Sequence, residues 1–237
     1  MKKISTLIQG DLRQIFRDKT LTFFVFAPLI LIAFVRNFVP YITLQYPAIQ
    51  AYHSLIMMFA GIQTAIMFGF ITSFIILDEK DENVLQVIRI LPISPFYFIL
   101  YRLTFATFFS GLGAFLMLYL GGMAYPGLFH SLLLSLQYGL IAPFITLLIA
   151  TFAKNKVEGM AYFKGVDLLL LLPILSFFVP ENFNYLFSVI PSFWTYQLYQ
   201  ASITKEHVIL FFGLGLLVYL VLIFILFRQF KKRIFDR

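Results

Sequence analysis

The sequence predicts an all-α integral membrane protein with six transmembrane helices, and three observations support this class. Hydrophobic residues make up 61% of the 237 residues, and charged residues make up only 12%. A soluble domain typically has roughly 25% charged residues. The apolar residues form six long stretches, and sixteen of the 18 Lys and Arg residues lie in or beside alternate gaps between them. A soluble fold of this length could not bury so many large apolar side chains, which include 31 Phe.

Each apolar stretch is close to the length of about 20 residues that a helix needs to cross a hydrocarbon core of roughly 30 Å. The spans are predicted at residues 21–39, 54–77, 96–123, 128–153, 160–179 and 207–228. Ser94 and Pro95 are typical of the cap and the first position of the third helix. The glycines of that span, among them Gly111, are predicted to allow neighbouring helices to pack closely. The six spans form one membrane domain, 21–237.

The distribution of cations predicts which side of the membrane each gap faces. Loops rich in Lys and Arg resist translocation and stay in the cytoplasm. The N-terminal segment, the regions after the second and fourth spans, and the C-terminal tail hold sixteen of these residues, whereas the other gaps hold only Arg36 and Lys205. The chain is therefore predicted to be a multi-pass protein of the cell membrane with both termini in the cytoplasm. The net charge of +7 is attributed to topology and to contact with anionic lipid headgroups, not to nucleic acid.

Residues 1–20 are predicted to form an amphipathic helix that lies in the membrane interface. Apolar residues recur there at helical spacing, with polar residues off that stripe. The apolar stripe consists of Ile4, Leu7, Ile8, Leu12, Ile15 and Phe16. A soluble helical arm is the weaker alternative, because the chain offers no soluble domain for such an arm to pack against.

An acidic cluster follows the second span. Five charged residues stand in a row from Asp78 to Glu82. Apolar residues then recur at the spacing of a helix face, at Val84, Leu85, Ile88 and Leu91. Acidic residues before such a run favour a helix N-terminus, where the helix dipole is positive. The segment is interpreted either as a surface helix presented to a cytoplasmic partner or as a solvated loop whose charges set topology.

Asp167 is the only acidic residue within a predicted span. An ionised group at membrane depth costs about 2.5–3.5 kcal/mol on insertion scales and points to function by default. Lys164 lies three residues earlier on the same helix face. An intrahelical ion pair near the cytoplasmic interface is therefore favoured over a substrate or proton site.

Other polar and aromatic residues allow two interpretations each. The polar residues Gln63, Thr64, Gln137 and Tyr138 could line a route through the membrane or form hydrogen bonds between helices. The outer gaps contain several aromatic residues, among them Tyr185, Trp194, Tyr196 and Tyr199. These are predicted to form an aromatic belt at the membrane interface.

The sequence lacks the motifs of several classes of catalytic and binding site. The G-x-x-x-x-G-K-[ST] spacing of a phosphate-binding loop is absent, as are G-x-S-x-G and H-E-x-x-H. The chain has no Cys, which excludes disulfides and thiolate chemistry. We therefore expect no catalytic residue, no metal site and no cofactor in this chain.

Four segments carry a family resemblance through their order and spacing. They are Arg17-Asp18-Lys19 with Pro28 in the span that follows, the acidic cluster leading into Ile90-Leu91-Pro92-Ile93-Ser94, Lys154-Asn155-Lys156-Val157-Glu158-Gly159 after the fourth span, and Pro191-Ser192-Phe193-Trp194 before the sixth. Together they resemble the permease subunits of the second class of ATP-binding-cassette (ABC) exporters, the type-2 permeases. The resemblance covers nearly the whole chain.

The resemblance implies roles for two of these segments. The N-terminal helix would be the elbow helix, ending in the charged residues Arg13, Arg17, Asp18 and Lys19. The loop after the second span would supply a short cytoplasmic coupling helix that docks on a nucleotide-binding subunit. Its charged residues are Asp78, Glu79, Lys80, Asp81, Glu82 and Arg89, and Glu79, Asp81, Glu82 and Arg89 would face the partner.

The resemblance also implies a function, against which two rivals stand. The chain would be the permease subunit of an ATP-driven exporter in a bacterial cell membrane, forming its pathway with a second copy or a related chain. ATP and Mg would bind to separate ATPase subunits. A secondary transporter usually shows an internal repeat and midplane charged or broken-helix sites, and neither is evident in the sequence. An intramembrane enzyme is disfavoured by the missing motifs.

Overall fold

The computed structural model describes residues 2–82, Val84 and residues 95–234, and within these ranges it contains helices but no strands. Eight helices organise the described chain. They are α1 (Lys2–Arg17), α2 (Lys19–Gln45), α3 (His53–Asp81), α4 (Pro95–Leu120), α5 (Leu128–Phe152), α6 (Lys156–Leu171), α7 (Pro191–Thr204) and α8 (Val208–Ile234). Shorter 3₁₀ segments precede α3 at Pro47–Tyr52, extend α6 at Leu172–Phe178 and precede α7 at Tyr185–Val189; the last of these follows a helical turn at Glu181–Asn184.

The protein is an all-α integral membrane protein, as the sequence predicted. Six described segments are long and apolar enough to cross a membrane. They are Lys19–Gln45, Pro47–Asp81, Phe96–Leu120, Leu128–Phe152, Lys156–Phe178 and Val208–Ile234. Each overlaps one predicted span, and most of the differences lie at the ends. The sixth span, α8, ends at Ile234, six residues beyond the predicted limit of 228, because its buried face continues from Leu226 to Phe230.

Polar side chains define where α2 and α6 begin. Asp18 is the N-cap of α2, and its Oδ1 accepts hydrogen bonds from the backbone amides of Thr20 (2.8 Å) and Leu21 (3.3 Å). Asn155 caps α6 by accepting from the amide of Glu158 at 2.9 Å. The Glu158 carboxylate in turn accepts from the amide of Lys154 at 2.8 Å. Such bonds satisfy amides that have no partner within the helix.

Helices α3 and α5 form the centre of the bundle. In the most apolar 18-residue window of each span, 67% of the window is buried inside the protein for α3 and for α5, but only 11% for α8. Helices α4 and α5 approach backbone to backbone: a Cβ added at Gly139 would lie 2.8 Å from the carbonyl oxygen of Thr107, and one at Gly111 would lie 2.9 Å from that of Ser135. This confirms the close packing predicted at Gly111.

Helix α7 differs most from the sequence prediction. It lies in the predicted outer gap, yet Tyr196 and Tyr199 are fully buried. The Tyr199 hydroxyl donates to the carbonyl of Ala124 at 2.7 Å, and the Ser192 hydroxyl donates to that of Leu170 at 2.7 Å. The assignment of Tyr196 and Tyr199 to an exposed aromatic belt is therefore wrong. Hydrogen bonds and apolar contacts inside the bundle hold these rings, whereas Tyr185 is exposed.

Candidate functional site

Four helices meet at one end of the bundle, which we call the charged end. They are α1, the C-terminal end of α3 and the N-terminal ends of α4 and α6. An open polar cleft of about 630 Å³ lies between them. Its charged lining residues are Asp11, Arg13, Arg17, Asp18, Asp78, Glu79, Glu82, Arg102 and Lys156. The cation distribution predicts that this end faces the cytoplasm.

Arg102 of α4 is the centre of this end. Its side chain is only 3% exposed and lies between the carboxylates of Asp11 and Glu79. Nη2 is 2.6 Å from Oδ1 of Asp11 and 2.7 Å from Oε1 of Glu79, and Nη1 donates to the second oxygen of Glu79. Nε donates to Oδ2 of Asp11 at 3.0 Å. Charge-assisted bonds of this forked kind are among the strongest and the most geometrically specific in proteins.

Two aromatic residues complete the surroundings of Arg102. The Tyr101 hydroxyl donates to Oδ2 of Asp11 at 2.6 Å. The guanidinium lies 4.3 Å from the ring centre of Phe98, within the range of a cation–π contact. The buried cation thus has polar partners on several sides, as a charge in a low-dielectric site requires.

Lys156 makes a second, more exposed link at the first residue of α6. Its Nζ lies 2.5 Å from Oδ1 of Asp78 and 3.3 Å from Oδ2 of Asp18, with 32% of the side chain exposed. Gln14 of α1 donates to the other oxygen of Asp78 at 2.9 Å. These bonds and those of Arg102 form two ionic groups that share α1 and α3 and together join α1, α3, α4, α6 and the start of α2. We call the two groups the ionic network.

The cap of α2 changes the acidity of one member of this network. Burial opposes the charge on Asp18. Hydrogen bonds from the amides of Leu21 and Thr20, together with the nearby ammonium of Lys156, outweigh that effect and lower the pKa of its carboxyl. Asp18 is therefore held ionised at the start of the first span.

The acidic cluster divides into inward and outward residues. Asp78 and Glu79 point into the protein, so the expectation that Glu79 faces a partner does not fit its position beside Arg102. Lys80 donates to the carbonyls of Ala153 (2.7 Å) and Ala150 (3.4 Å) at the end of α5. The structure leaves Asp81 and Glu82 exposed, and docking through them stays a prediction.

Parts of the expected coupling segment lie outside the described residues. Arg89 and most of the segment that ends at Pro92 are among them. Arg13 and Arg17 of α1 are exposed, as is Lys19, which the structure places at the first position of α2 and not on the N-terminal helix. The cleft is thus bordered by exposed cations of α1 and by the exposed acid Glu82.

Sequence reasoning missed three members of the network: Asp11, Arg102 as a pairing partner, and Lys156. A signal for Asp11 was present, because it lies four residues after Leu7 and four before Ile15. That spacing places a carboxylate on the apolar stripe of an amphipathic helix. Such a position, together with an Arg two turns inside an apolar helix, indicates a buried pair.

A second polar pair lies deep in the membrane domain. Gln63 of α3 donates from Nε2 to Oδ1 of Asp167 in α6 at 2.8 Å. No ion pair joins Asp167 to Lys164 among the described residues, and Lys164 is exposed. The structure therefore does not bring together the predicted pair.

The depth of Asp167 also differs from the expectation. Along α6 it lies about 17 Å from Lys156, and along α3 Gln63 lies about 15 Å from His53, at a rise of 1.5 Å per residue. The pair is therefore near the middle of the membrane domain and not close to the cytoplasmic interface.

The other three polar residues considered for a pathway form internal hydrogen bonds. Gln137 donates to the carbonyls of Phe211 (3.0 Å) and Phe212 (2.9 Å), and so joins α5 to α8. The Thr64 hydroxyl donates to the carbonyl of Ala60 at 2.9 Å within α3. Tyr138 is fully buried. Of the four candidates for a pathway, only Gln63 is partly exposed.

The fold defines an all-α, multi-pass integral membrane protein. The chain belongs to the family described as Fluoroquinolones export permease protein Rv2686c-like, whose model matches residues 11–227. Two relatives from Mycobacterium tuberculosis are each 27% identical over 233 residues, which cover 95% of this chain and 92% of theirs. They are Fluoroquinolones export permease protein MT2760 from strain CDC 1551 / Oshkosh and Fluoroquinolones export permease protein Rv2686c from strain ATCC 25618 / H37Rv. No solved structure matches the chain significantly.

Proposed function

We propose that this chain is the type-2 permease subunit of an ATP-driven exporter. Two copies, or one copy and a related chain, would form the pathway, and separate ATPase subunits would bind ATP and Mg in the cytoplasm. The family is described as one of export permeases, and this description supports the proposal. The observation that carries it is the ionic network at the charged end, centred on Arg102.

The position of the network suggests how force would reach the spans. Residues 82–94 connect the end of α3 at Asp81 to the start of α4 at Pro95. A partner that moved this segment would therefore act on both helix ends. Glu79 and Arg102 join those two ends, Asp11 adds the elbow helix, and Lys156 adds α6 through Asp78. A displacement of the segment would therefore shift several spans together and not one alone.

The proposed cargo is an amphipathic small molecule of the fluoroquinolone kind. The two relatives are named as fluoroquinolone exporters, and they align with nearly the whole of this chain.

A co-purification experiment tests the docking part of the proposal. The chain would be co-expressed with a candidate ABC-type ATPase subunit, with Glu82→Lys as the test variant and Glu206→Lys as the control. Both acids are exposed, but Glu206 lies at the opposite end of the bundle. Glu82→Lys should reduce recovery of the ATPase, whereas Glu206→Lys should not. Equal recovery with both variants, or no association of the unmodified chain with any ATPase, would contradict the proposal.

The membrane-depth pair favours one alternative function. An acidic residue near the midplane can carry a proton, as in transporters driven by an ion gradient. If Asp167 did so, export would proceed without an ATPase partner and would collapse when the proton gradient is removed. The energy source therefore separates the two candidates.

A further inference from the structure

We propose that Asp167 and Gln63 form the recognition site for a protonated amine on the exported molecule. The proposal rests on the export function proposed above and adds a chemical class to its substrate. Neither the fold nor the ionic network at the charged end indicates a ligand for this pair, and the proposal supplies one.

The hydrogen bonding of the pair leaves acceptors free. Carboxylate oxygens only accept, so Gln63 must present its NH₂ group to Oδ1 of Asp167. Among the described residues, Oδ2 of Asp167 and Oε1 of Gln63 have no hydrogen-bond partner. Neither atom is fully buried. The pair thus retains two accessible acceptors to which an ammonium group could donate.

The charge of Asp167 is not balanced within the described chain. Lys164 is exposed and forms no ion pair with it. A partly exposed carboxylate near the midplane would be costly if it faced lipid, and intramembrane acids of this kind mark substrate or ion pathways. The face of α6 that carries Asp167 is therefore expected to meet water or a cationic ligand.

A cleft leads along this face from the charged end. It measures about 560 Å³ and lies between α6 and the start of α2, with Met160 and Lys164 in its lining. Met160, Lys164 and Asp167 stand at positions i, i+4 and i+7 of α6, so they share one helix face. Phe74 of α3 lines the same cleft, and Gln63 stands on α3 farther from the charged end. The lining of the cleft reaches Lys164, about one turn before Asp167 on the same face of α6.

The chemistry of recognition follows from these contacts. The hydrogen bond from Gln63 orients the carboxylate, and Oδ2 accepts a charge-assisted bond from the ammonium. Apolar residues of the cleft, such as Met160 and Phe74, suit the hydrophobic body of the molecule. An analogue of equal size without the positive charge would leave Asp167 unpaired at membrane depth and would bind less tightly.

A binding assay on the purified full chain in lipid nanodiscs tests this site without any ATPase. The probes are a piperazinyl fluoroquinolone and its N-acetylpiperazinyl derivative, which is uncharged at that nitrogen. Their own fluorescence anisotropy reports binding. The unmodified chain should bind the amine about tenfold or more tightly than the amide, as expected for a hydrogen bond to a charged group. Asp167→Asn should remove this preference and keep the affinity for the amide, which also shows that the variant is folded.

Two further variants sharpen the assay. Asp167→Glu should retain the preference, because it keeps the carboxylate. Lys205→Gln removes an exposed cation at the opposite end of the bundle and should also retain it, because that residue lies outside the cleft. An unmodified chain that binds both probes equally, or neither, would overturn the proposal. So would an Asp167→Asn variant that still prefers the amine or that loses both probes. If the preference is found but cells with the chain and its ATPase fail to expel the drug, the export function fails while the site stands.

Discussion

Nη2 of Arg102 lies 2.7 Å from Oε1 of Glu79 and 2.6 Å from Oδ1 of Asp11. The bond between Arg102 and Glu79 joins the second turn of α4 to the last turn of α3 across a side chain that is only 3% exposed. These two helices flank the segment that we propose as the coupling element. The pair therefore stands between the proposed partner and the membrane spans.

Removal of Arg102 should destabilise the protein strongly. Arg102→Ala leaves the carboxylates of Asp11 and Glu79 without their shared cation, and breaking a buried pair in this way typically costs about 3–5 kcal/mol. The midpoint of thermal unfolding in detergent should fall accordingly. Arg228→Ala, which removes an exposed cation of α8, is the matched control and should have little effect. Similar midpoints for the two variants would show that the buried network does not support the fold.

The link through Lys156 should be weaker and sensitive to salt. Its side chain is 32% exposed, and partly exposed pairs contribute about 0–1 kcal/mol. Lys156→Gln should lower stability by at most about 1 kcal/mol at low ionic strength, and less at high salt, because mobile ions screen exposed charges. Unfolding midpoints measured at two salt concentrations check this. A large loss that is independent of salt would instead mean that the link behaves as a buried pair.

The cap formed by Asp18 should give stability that depends on pH. Its pKa is lowered in the folded protein, so its contribution is present above the unfolded-state pKa of about 3.9 and is lost as pH falls through the lower folded value. Asp18→Ala should cost about 1 kcal/mol at neutral pH. Asp18→Asn should keep part of the cap and lose the acid dependence at this position. If acid lowers the stability of the unmodified chain and of Asp18→Asn by the same amount, this account is contradicted.

The close contact between α4 and α5 should not tolerate a side chain at Gly139. A Cβ there would lie 2.8 Å from the carbonyl oxygen of Thr107, and Gly139→Ala should destabilise the bundle by about 1–3 kcal/mol through overpacking. Gly165 in α6 has nothing within 4 Å of an added Cβ. Gly165→Ala should therefore be neutral or stabilising, since Ala favours a helix. Equal unfolding midpoints for the two variants would show that helix packing does not limit this position.

The fold was largely predictable because hydropathy and charge act locally. Span length depends on the bilayer, and the six apolar stretches match the six described candidates. Helix α7 was missed because its apolar residues are interleaved with Tyr, Ser and Thr, which are equally typical of an outer loop. Burial of Tyr196 depends on α6, through the carbonyl of Leu170, 3.5 Å from its hydroxyl. A contact of this kind between distant segments leaves no mark on local composition.

The candidate sites were only partly predictable for the same reason. The acidic cluster was visible as a run of charges, but the inward orientation of Asp78 and Glu79 depends on Lys156 and Arg102, which come from other helices. Asp167 was recognised as unusual, yet its partner was assigned to its own helix. The structure gives it a partner on α3 that lies 104 positions away in the chain. Short sequence spacing identifies contacts within one helix, whereas the contacts at both sites are between helices.

Transport of a fluoroquinolone into inside-out membrane vesicles tests the central claim most directly. The vesicles would contain this chain and its ATPase partner, with ATP supplied outside and with or without a protonophore. The account predicts uptake that requires ATP hydrolysis, persists when the proton gradient is collapsed, and falls in the Glu82→Lys variant but not in Glu206→Lys. Uptake that proceeds without ATP and stops on addition of the protonophore would contradict it and would assign the transport to an ion gradient.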